Sequence, residues 1–519
     1  MVRKNLSVVL IWCVIFNVLF PPGIFSVSSP ENGFTEVEKA LDEGGNYYLY
    51  CNTKDSLKQI MDHIKKIFTS PSSPKEAQQA LNAIDGVIGV LGFYDIGAFG
   101  KSGIPVDDHY ITKTFIHIPE ERHGILKITG AKPHPFGALE YAPKDTRFAF
   151  SMDVNFAELL SIVRECFLKG GGNEAAMEFD NAIANFNTNI ARMSGKDATL
   201  QSLISSLGEE IVLLIDIDPV MKINIPVSMR ESTPFPSPRF ALMIRAKDAS
   251  LYETLSQTIR KIGMAQNEVQ DGNIRKTILF APPNPIYVLQ PVLVYDGQYC
   301  ILTTQLSFLD QILETKKSGG GLKDTEEYKN LVKGLPSEGN GLLFISRDAF
   351  TTIQTVFSKF KDEMEKRMGS SEGMAAFPYM GMFSKLEGEI VMGFASVRVN
   401  RENGIWEVSK QKYGNAGATT IAMGVAVLGI LTAIAVPGFL RARENSRTQA
   451  CQENLSKIDG AKEQWALENK KQKGAEVRME DLVGQNLYIR RTPICPRGGT
   501  YTLNVIGEDP TCSCGTRLP

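Results

Sequence analysis

Between Ala418 and Leu440 the chain carries no charged side chain, and this run passes without a break into an amphipathic stretch that reaches Trp465. An apolar helix of about 20 residues is long enough to cross a bilayer. Its late position divides the chain into a large body, a hydrophobic helix at 418–440 and a small tail at 441–519. Ala422, Ala426, Gly429 and Ala433 recur at helical spacing, so they share one small-residue face on which another helix can pack closely. Pro437 would kink the helix near its end, a feature that membrane helices tolerate better than soluble ones.

The other end of the chain bears on the same question. Met1-Val2-Arg3-Lys4-Asn5 is basic, Leu6 to Phe20 is apolar, and Pro21-Pro22-Gly23 leads into small residues through Ser29. This is the layout of a signal peptide over 1–28, with Ser26-Val27-Ser28 at the cleavage site, and it places the body outside the cytoplasm. At 519 residues the chain has room for two to four domains. We expect an exported body at 29–410, divisible into subdomains at 29–200 and 201–410. The net charge of −2 offers no basic field for nucleic acid.

Of eight cysteines, seven remain once Cys13 leaves with the signal. Cys51, Cys166 and Cys300 are scattered in apolar stretches and read as small buried hydrophobes. Cys495, Cys512 and Cys514 gather in the tail, where a Cys495–Cys512 or Cys495–Cys514 bridge would staple a small β-rich unit in an oxidising compartment. Zinc is the weaker reading, because the tail has no Cys-x-x-Cys pair and no nearby histidine. We therefore expect no metal and no cofactor.

Through the body, short apolar strands alternate with amphipathic helices. Strands are expected at Tyr47–Cys51, Phe148–Met152, Ile211–Asp218, Phe240–Ala246 and Leu342–Ser346, and helices at Ser56–Phe68, Pro74–Val90, Asn155–Leu168, Glu174–Ala191, Ser250–Ala265 and Ser307–Lys316. Hairpins are expected at Ile111–Ile118 with Gly124–Thr129, at Val292–Tyr295 with Tyr299–Thr303 around Asp296-Gly297, and at Ile390–Val399 with Ile405–Val408. Hairpins mixed with returning helices imply an α+β body with largely antiparallel sheets. A faint repeat runs through it: Pro143, Phe148–Ser151 and Phe156 parallel Pro336, Leu342–Ser346 and Phe350.

Candidate chemistry in the body is sparse. His117 and His123 bracket Pro119-Glu120-Glu121-Arg122, which reads as a solvated hairpin tip rather than a metal site. Gly170-Gly171-Gly172 and Gly319-Gly320-Gly321 lack the Lys-Ser/Thr of a phosphate loop and read as helix stops. Asp216 and Asp218 alternate on one strand, which puts both carboxylates on one face, expected to be solvated. No catalytic residues are expected.

Two resemblances add to this. The body, around Pro143–Phe156, Arg239–Leu255, Asp296–Leu313 and Pro336–Phe350, loosely resembles a group of exported bacterial proteins known only as a domain of unknown function. In the tail, Gly429 through Arg443, Asn454-Leu455 through Asn469, and Pro496-Arg497-Gly498-Gly499-Thr500-Tyr501 with Cys495 before it and Cys512 after it are similar to type IV pilins and type II secretion pseudopilins. That resemblance implies a long hydrophobic-to-amphipathic helix, a small β-rich tail and pilin-like or secretion-system partners. The chain departs from the family where processing and assembly would occur. In the family's register the cut would fall between Asn415 and Ala416 and position five would be Thr420, in place of a Gly-Phe site and a glutamate; a two-residue slip places Ala422 there.

The leading expectation is a non-enzymatic, membrane-anchored cell-envelope protein with a structural, adhesive or secretion-associated role. The alternatives are an extracytoplasmic ligand- or peptide-binding protein attached through a degenerate pilin helix, and an exported hydrolase. Two topologies stay open for the tail. Arg441, Arg443 and Arg447 favour a cytoplasmic tail by the positive-inside rule, whereas pilin tails work outside.

Overall fold

The structure is a computed structural model that describes residues 33–68, 75–130, 132–195, 197–226, 232–280, 290–349, 351, 393–411, 448, 450–485, 487–495 and 498–518. The signal segment 1–28, the apolar run 418–440 and the face formed by Ala422, Ala426, Gly429 and Ala433 lie outside the described residues. Among the described residues no helix is long and apolar enough to cross a membrane. The chain divides into two compact units, Met1–Ala418 and Thr419–Pro519.

The first unit is an α+β body. Its strands are β1 (Tyr47–Asn52), β2 (Ala98–Val106), β3 (His109–His117), β4 (His134–Pro135), β5 (Phe148–Asp153), β6 (Leu207–Pro226), β7 (Ser232–Ala246), β8 (Ala265–Asp271), β9 (Ile274–Leu279), β10 (Val292–Tyr295), β11 (Tyr299–Thr303), β12 (Glu338–Gly339), β13 (Gly341–Ile345), β14 (Phe394–Arg401) and β15 (Gly404–Gln411). Thirteen of them form one antiparallel sheet in the order β1-β2-β3-β15-β14-β13-β5-β6-β7-β11-β10-β9-β8, and β4 pairs with β12. The subdomains expected at 29–200 and 201–410 thus share one sheet, since β3 pairs with β15 and β5 pairs with both β13 and β6.

Alternation along the strands decides what each face buries. Val212 and Leu214 on β6, Ala241 and Met243 on β7, and Tyr299 and Ile301 on β11 point into one core, whereas Leu242 and Leu302 between them are exposed. The helix Leu306–Ser318 covers that core with Phe308, Leu309 and Ile312, all fully buried. Burying such side chains is worth about 1.5–3 kcal/mol each. On the opposite face the helix Ser250–Lys261 packs Tyr252 against Leu293 and Cys300, so β10 is apolar on both sides.

The helices expected at Asn155–Leu168 and Glu174–Ala191 are both present within Phe156–Ser194, as two helices that meet at a kink where Gly172 leaves the helical conformation with φ 73°. The hairpin expected at Ile111–Ile118 with Gly124–Thr129 is corrected. β3 pairs instead with β2 on one side and β15 on the other, and Gly124–Leu126 is a single 3-10 turn.

The repeat strands β5 and β13 are immediate neighbours in the middle of the sheet, with Ala149 opposite Phe344 and Phe150 opposite Leu343. The hairpin β6–β7 follows on one side of this seam and β14–β15 on the other. The weak sequence repeat therefore marks two halves of a sheet that meet antiparallel at their equivalent strands.

The second unit is built on a helix over 450–468. Cys451, Leu455 and Ile458 lie along its fully buried stripe. Behind it come a short helix, Met479–Leu482, and a two-stranded ladder of β16 (Tyr501–Thr502) and β17 (Thr511–Cys512). Ala461, Ala466, Val477, Leu482 and Ile506 form one small core. Lys462 is also fully buried, and its ammonium donates to the carbonyls of Leu503 and Glu508, both at 2.6 Å. That lysine fixes the helix to the segment leading into β17, and burial pushes its pKa down.

Candidate metal centre

Five acidic residues among the described part of the body are buried, Asp153, Glu210, Asp216, Asp218 and Asp296, and each has a hydrogen-bonding partner. Asp216 and Asp218, expected on a solvated face, are instead almost fully buried, with Arg239 between them. The Arg239 guanidinium bonds Asp216, reaches Asp218 at 3.4 Å and lies 5.2 Å above the Phe308 ring. Pairing with a buried arginine is what allows two carboxylates to leave water together. Such an arrangement is structural cross-linking between β6 and β7.

Two further clusters follow the same rule. Glu210 accepts from Ser151 Oγ at 2.6 Å and from the Tyr299 hydroxyl. Asp296, in the β10–β11 turn, accepts from the Tyr141 hydroxyl at 2.7 Å, Lys316 Nζ at 3.0 Å and the backbone N–H groups of Gln298 and Tyr299. Burial alone would raise the Asp296 carboxyl, but these donors hold it below the usual carboxylate range.

The histidines do not converge on a metal. His117 Nδ1 meets the Asn403 carbonyl, and His123 meets Asp95. His134 pairs with buried Asp153 at 2.9 Å, but its other ring nitrogen is taken by the Pro135 carbonyl at 2.8 Å. With both nitrogens bonded, that imidazole has none left to take a proton from a nucleophile. Asp153 also accepts from Asn340, which with Asn400 ties the 129–132 segment to β14.

The tail holds the one convergence of metal-ligating groups among the described residues. Cys451, Cys495, Cys512 and Cys514 bring their four sulfurs within 4.8 Å of one another. Cys451 Sγ lies 3.6 Å from Cys514 Sγ and 3.7 Å from Cys495 Sγ. None of the four is joined in a disulfide, and only Cys514 is partly exposed.

Each ligand position has a local cause. Cys451 lies on the helix over 450–468, facing inward because it shares a stripe with Leu455. Asn454, on the same helix, donates to the Ile494 carbonyl and the Tyr501 hydroxyl, both at 3.1 Å, and so holds the segment that carries Cys495. Cys512 ends β17. The chain then turns, with Gly515 at φ 83° donating its N–H to the Cys512 carbonyl, which returns Cys514 to the cluster. Gly499 backs this turn, and a Cβ there would sit 2.8 Å from Cys512 Sγ.

The surroundings differentiate the thiols. Thr516 Oγ1 lies 3.2 Å from Cys514 Sγ, and this hydrogen bond, outweighing burial, brings Cys514 down to about 6. Burial pushes Cys512 up to about 12. The Tyr501 hydroxyl lies 3.6 Å from Cys451 Sγ. Four sulfurs with hydroxyl groups beside them form a soft donor set suited to zinc or iron.

Of the sequence-based site residues, Cys495, Cys512 and Cys514 are thus brought together, joined by Cys451, which sequence reasoning did not place with them. Cys451 reads as part of a helical stripe, and Cys514 reads only as an alternative bridge partner. The available signal was compositional: half of the eight cysteines lie beyond Ala450. Comparison of the chain with protein-family models, curated proteins and solved structures gives no match.

Proposed function

We propose that this chain is a non-enzymatic cell-envelope protein in which a large exported α+β body is held by a pilin- or pseudopilin-like module, in a structural, adhesive or secretion-associated role. The observation that carries the reading is the plan of the tail. In sequence the uncharged run at 418–440 lies ahead of the helix over 450–468, and a short antiparallel ladder, β16–β17, follows that helix. This is the order of parts that the pilin resemblance implies. The apolar run supplies the membrane anchor, and its face of Ala422, Ala426, Gly429 and Ala433 supplies the surface for a neighbouring pilin-like helix. The buried ion pairs of Arg239 with Asp216 and Asp218, which tie β6 to β7, agree with a load-carrying role.

The test is fractionation of cells that produce the full chain, followed by protease treatment of intact spheroplasts. The expected result is full-length protein in the membrane fraction, with the body digested from outside. Release of the intact chain as a soluble periplasmic or cytoplasmic protein would overturn the reading. Cleavage of the tail under the same conditions places it outside, as in pilins, and protection places it inside.

A second reading has one observation in its favour. An open polar depression lies between the helix Ser250–Lys261, the edge strand β8 and its neighbour β9, lined by Tyr252, Ser256, Arg260, Glu268, Arg275 and Lys276 among others. It fits an extracytoplasmic protein that binds a polar ligand or peptide, though Arg260 is paired with Glu268 and Arg275 with Glu253. Saturable binding of a peptide library that is lost in Lys276→Glu would favour it.

A further inference from the structure

We propose that Cys451, Cys495, Cys512 and Cys514 are the four ligands of a structural zinc ion that holds the tail together. Zinc takes four thiolates at about 2.3 Å in a tetrahedron, so neighbouring sulfurs stand about 3.8 Å apart. The separations of 3.6 and 3.7 Å from Cys451 to its two neighbours are close to that edge length. A disulfide brings two sulfurs to about 2.05 Å, well short of these separations, and none of the four cysteines is joined in one.

The placement of the ligands explains what the ion would do. Cys451 comes from the helix, Cys495 from the segment ahead of the ladder, and Cys512 and Cys514 from the last strand and its turn. A single ion would therefore join the helix to two stretches of chain, whose cysteines Cys495 and Cys514 lie 44 and 63 residues from Cys451. The apolar core at the other end of the unit, around Leu482 and Ile506, does not include these residues. Near the cysteines the buried material is little more than Leu455, with Tyr501 and Leu518 packed against it. A unit this small gains most from a cross-link where its core is thinnest.

Binding is a proton exchange with no redox step. Four thiols give up their protons to solvent, and four sulfur lone pairs form bonds to Zn²⁺, which leaves the site with a net charge of −2. The Thr516 and Tyr501 hydroxyls stand where they can donate to the thiolates of Cys514 and Cys451 and spread that charge. Outside the cytoplasm, oxidation to two disulfides competes for the same sulfurs, and ligation protects them.

The experiment uses the full chain, purified in detergent without chelator or reductant, and reads metal content and cysteine alkylation together. Expected are about one zinc per chain and four tail cysteines that resist alkylation until a chelator is added under denaturing conditions. The Cys512→Ser/Cys514→Ser variant should hold about tenfold less zinc than the wild type or lower. Because that variant could misfold, a second measurement replaces zinc by Co²⁺ in the wild type, where tetrahedral thiolate ligation gives strong sulfur-to-cobalt absorption. Cysteines that alkylate only after a reductant, with zinc near zero, mean two disulfides and overturn the proposal. Iron in place of zinc, freely alkylated cysteines, or a double variant that keeps its zinc would overturn it as well.

Discussion

The body and the tail solve the same problem at different sizes. In the body, thirteen strands and their covering helices bury enough apolar surface that charged groups can be taken inside as cross-links, as with Arg239 between Asp216 and Asp218. Among the described residues the tail has a two-stranded ladder, a helix over 450–468, the short helix Met479–Leu482 and a core of a few side chains. Its described polar interior includes buried Lys462, Thr516 and the four clustered sulfurs. The fraction of surface buried on folding rises with chain size, so a small unit leans on specific bonds where a large one can rely on area.

The comparison breaks most sharply at the cysteines. Stripping metal from the full chain should abolish hydrogen-exchange protection across 451–514 while leaving the strands of the body protected, and equal loss in both units would refute the division. Next in size is Arg239→Ala, which strands two buried carboxylates and should cost the body about 3–5 kcal/mol. Urea unfolding followed by fluorescence of Trp406, on β15, reads this, and the exchange behaviour of the tail should stay unchanged.

Lys462→Met tests the tail's other cross-link. It leaves the carbonyls of Leu503 and Glu508 without their donor and should destabilise the tail by about 2–3 kcal/mol, with the body again unaffected. The smallest effect is pH dependence at Asp296. Its carboxyl is held below the ordinary range in the folded body, so its stabilisation is complete above the unfolded value of about 3.9 and is lost as pH falls through the lower folded value. Unfolding midpoints between neutral and acidic pH should fall less steeply in Asp296→Asn than in the wild type.

How much of this was legible in the sequence depended on whether local pattern and tertiary role agreed. β10 and β11 were plain because Asp296-Gly297 supplies the turn and the flanking residues are apolar and branched. β2 was invisible because it contains Gly100, Gly103 and Pro105, residues that weaken a strand pattern. Its glycines are there for packing: a Cβ at Gly100 would collide with Val37, and one at Gly103 with the Tyr47 ring. β8, Ala-Gln-Asn-Glu-Val-Gln-Asp, is a polar edge with no apolar alternation to read.

The acids at 216 and 218 were correctly placed on one face but assigned to the wrong environment, because their burial depends on Arg239 arriving from another strand. The thiol cluster failed for a related reason. Cys451 satisfies a helical apolar stripe and a ligand position at once, and its partners are too distant in the chain for a spacing rule to join them.

The seam where β5 meets β13 has a consequence for how the body is made. β5 lies between β6, which follows soon after it, and β13, which is supplied nearly two hundred residues later; β3 waits still longer for β15. During synthesis each therefore has one backbone edge open until the C-terminal strands emerge. Pairings this distant in sequence slow folding and prolong the exposure of unpaired edges. A nascent body is thus a substrate for holding chaperones, and chains truncated before Gly341 should aggregate through the edges that β13 and β15 normally cover.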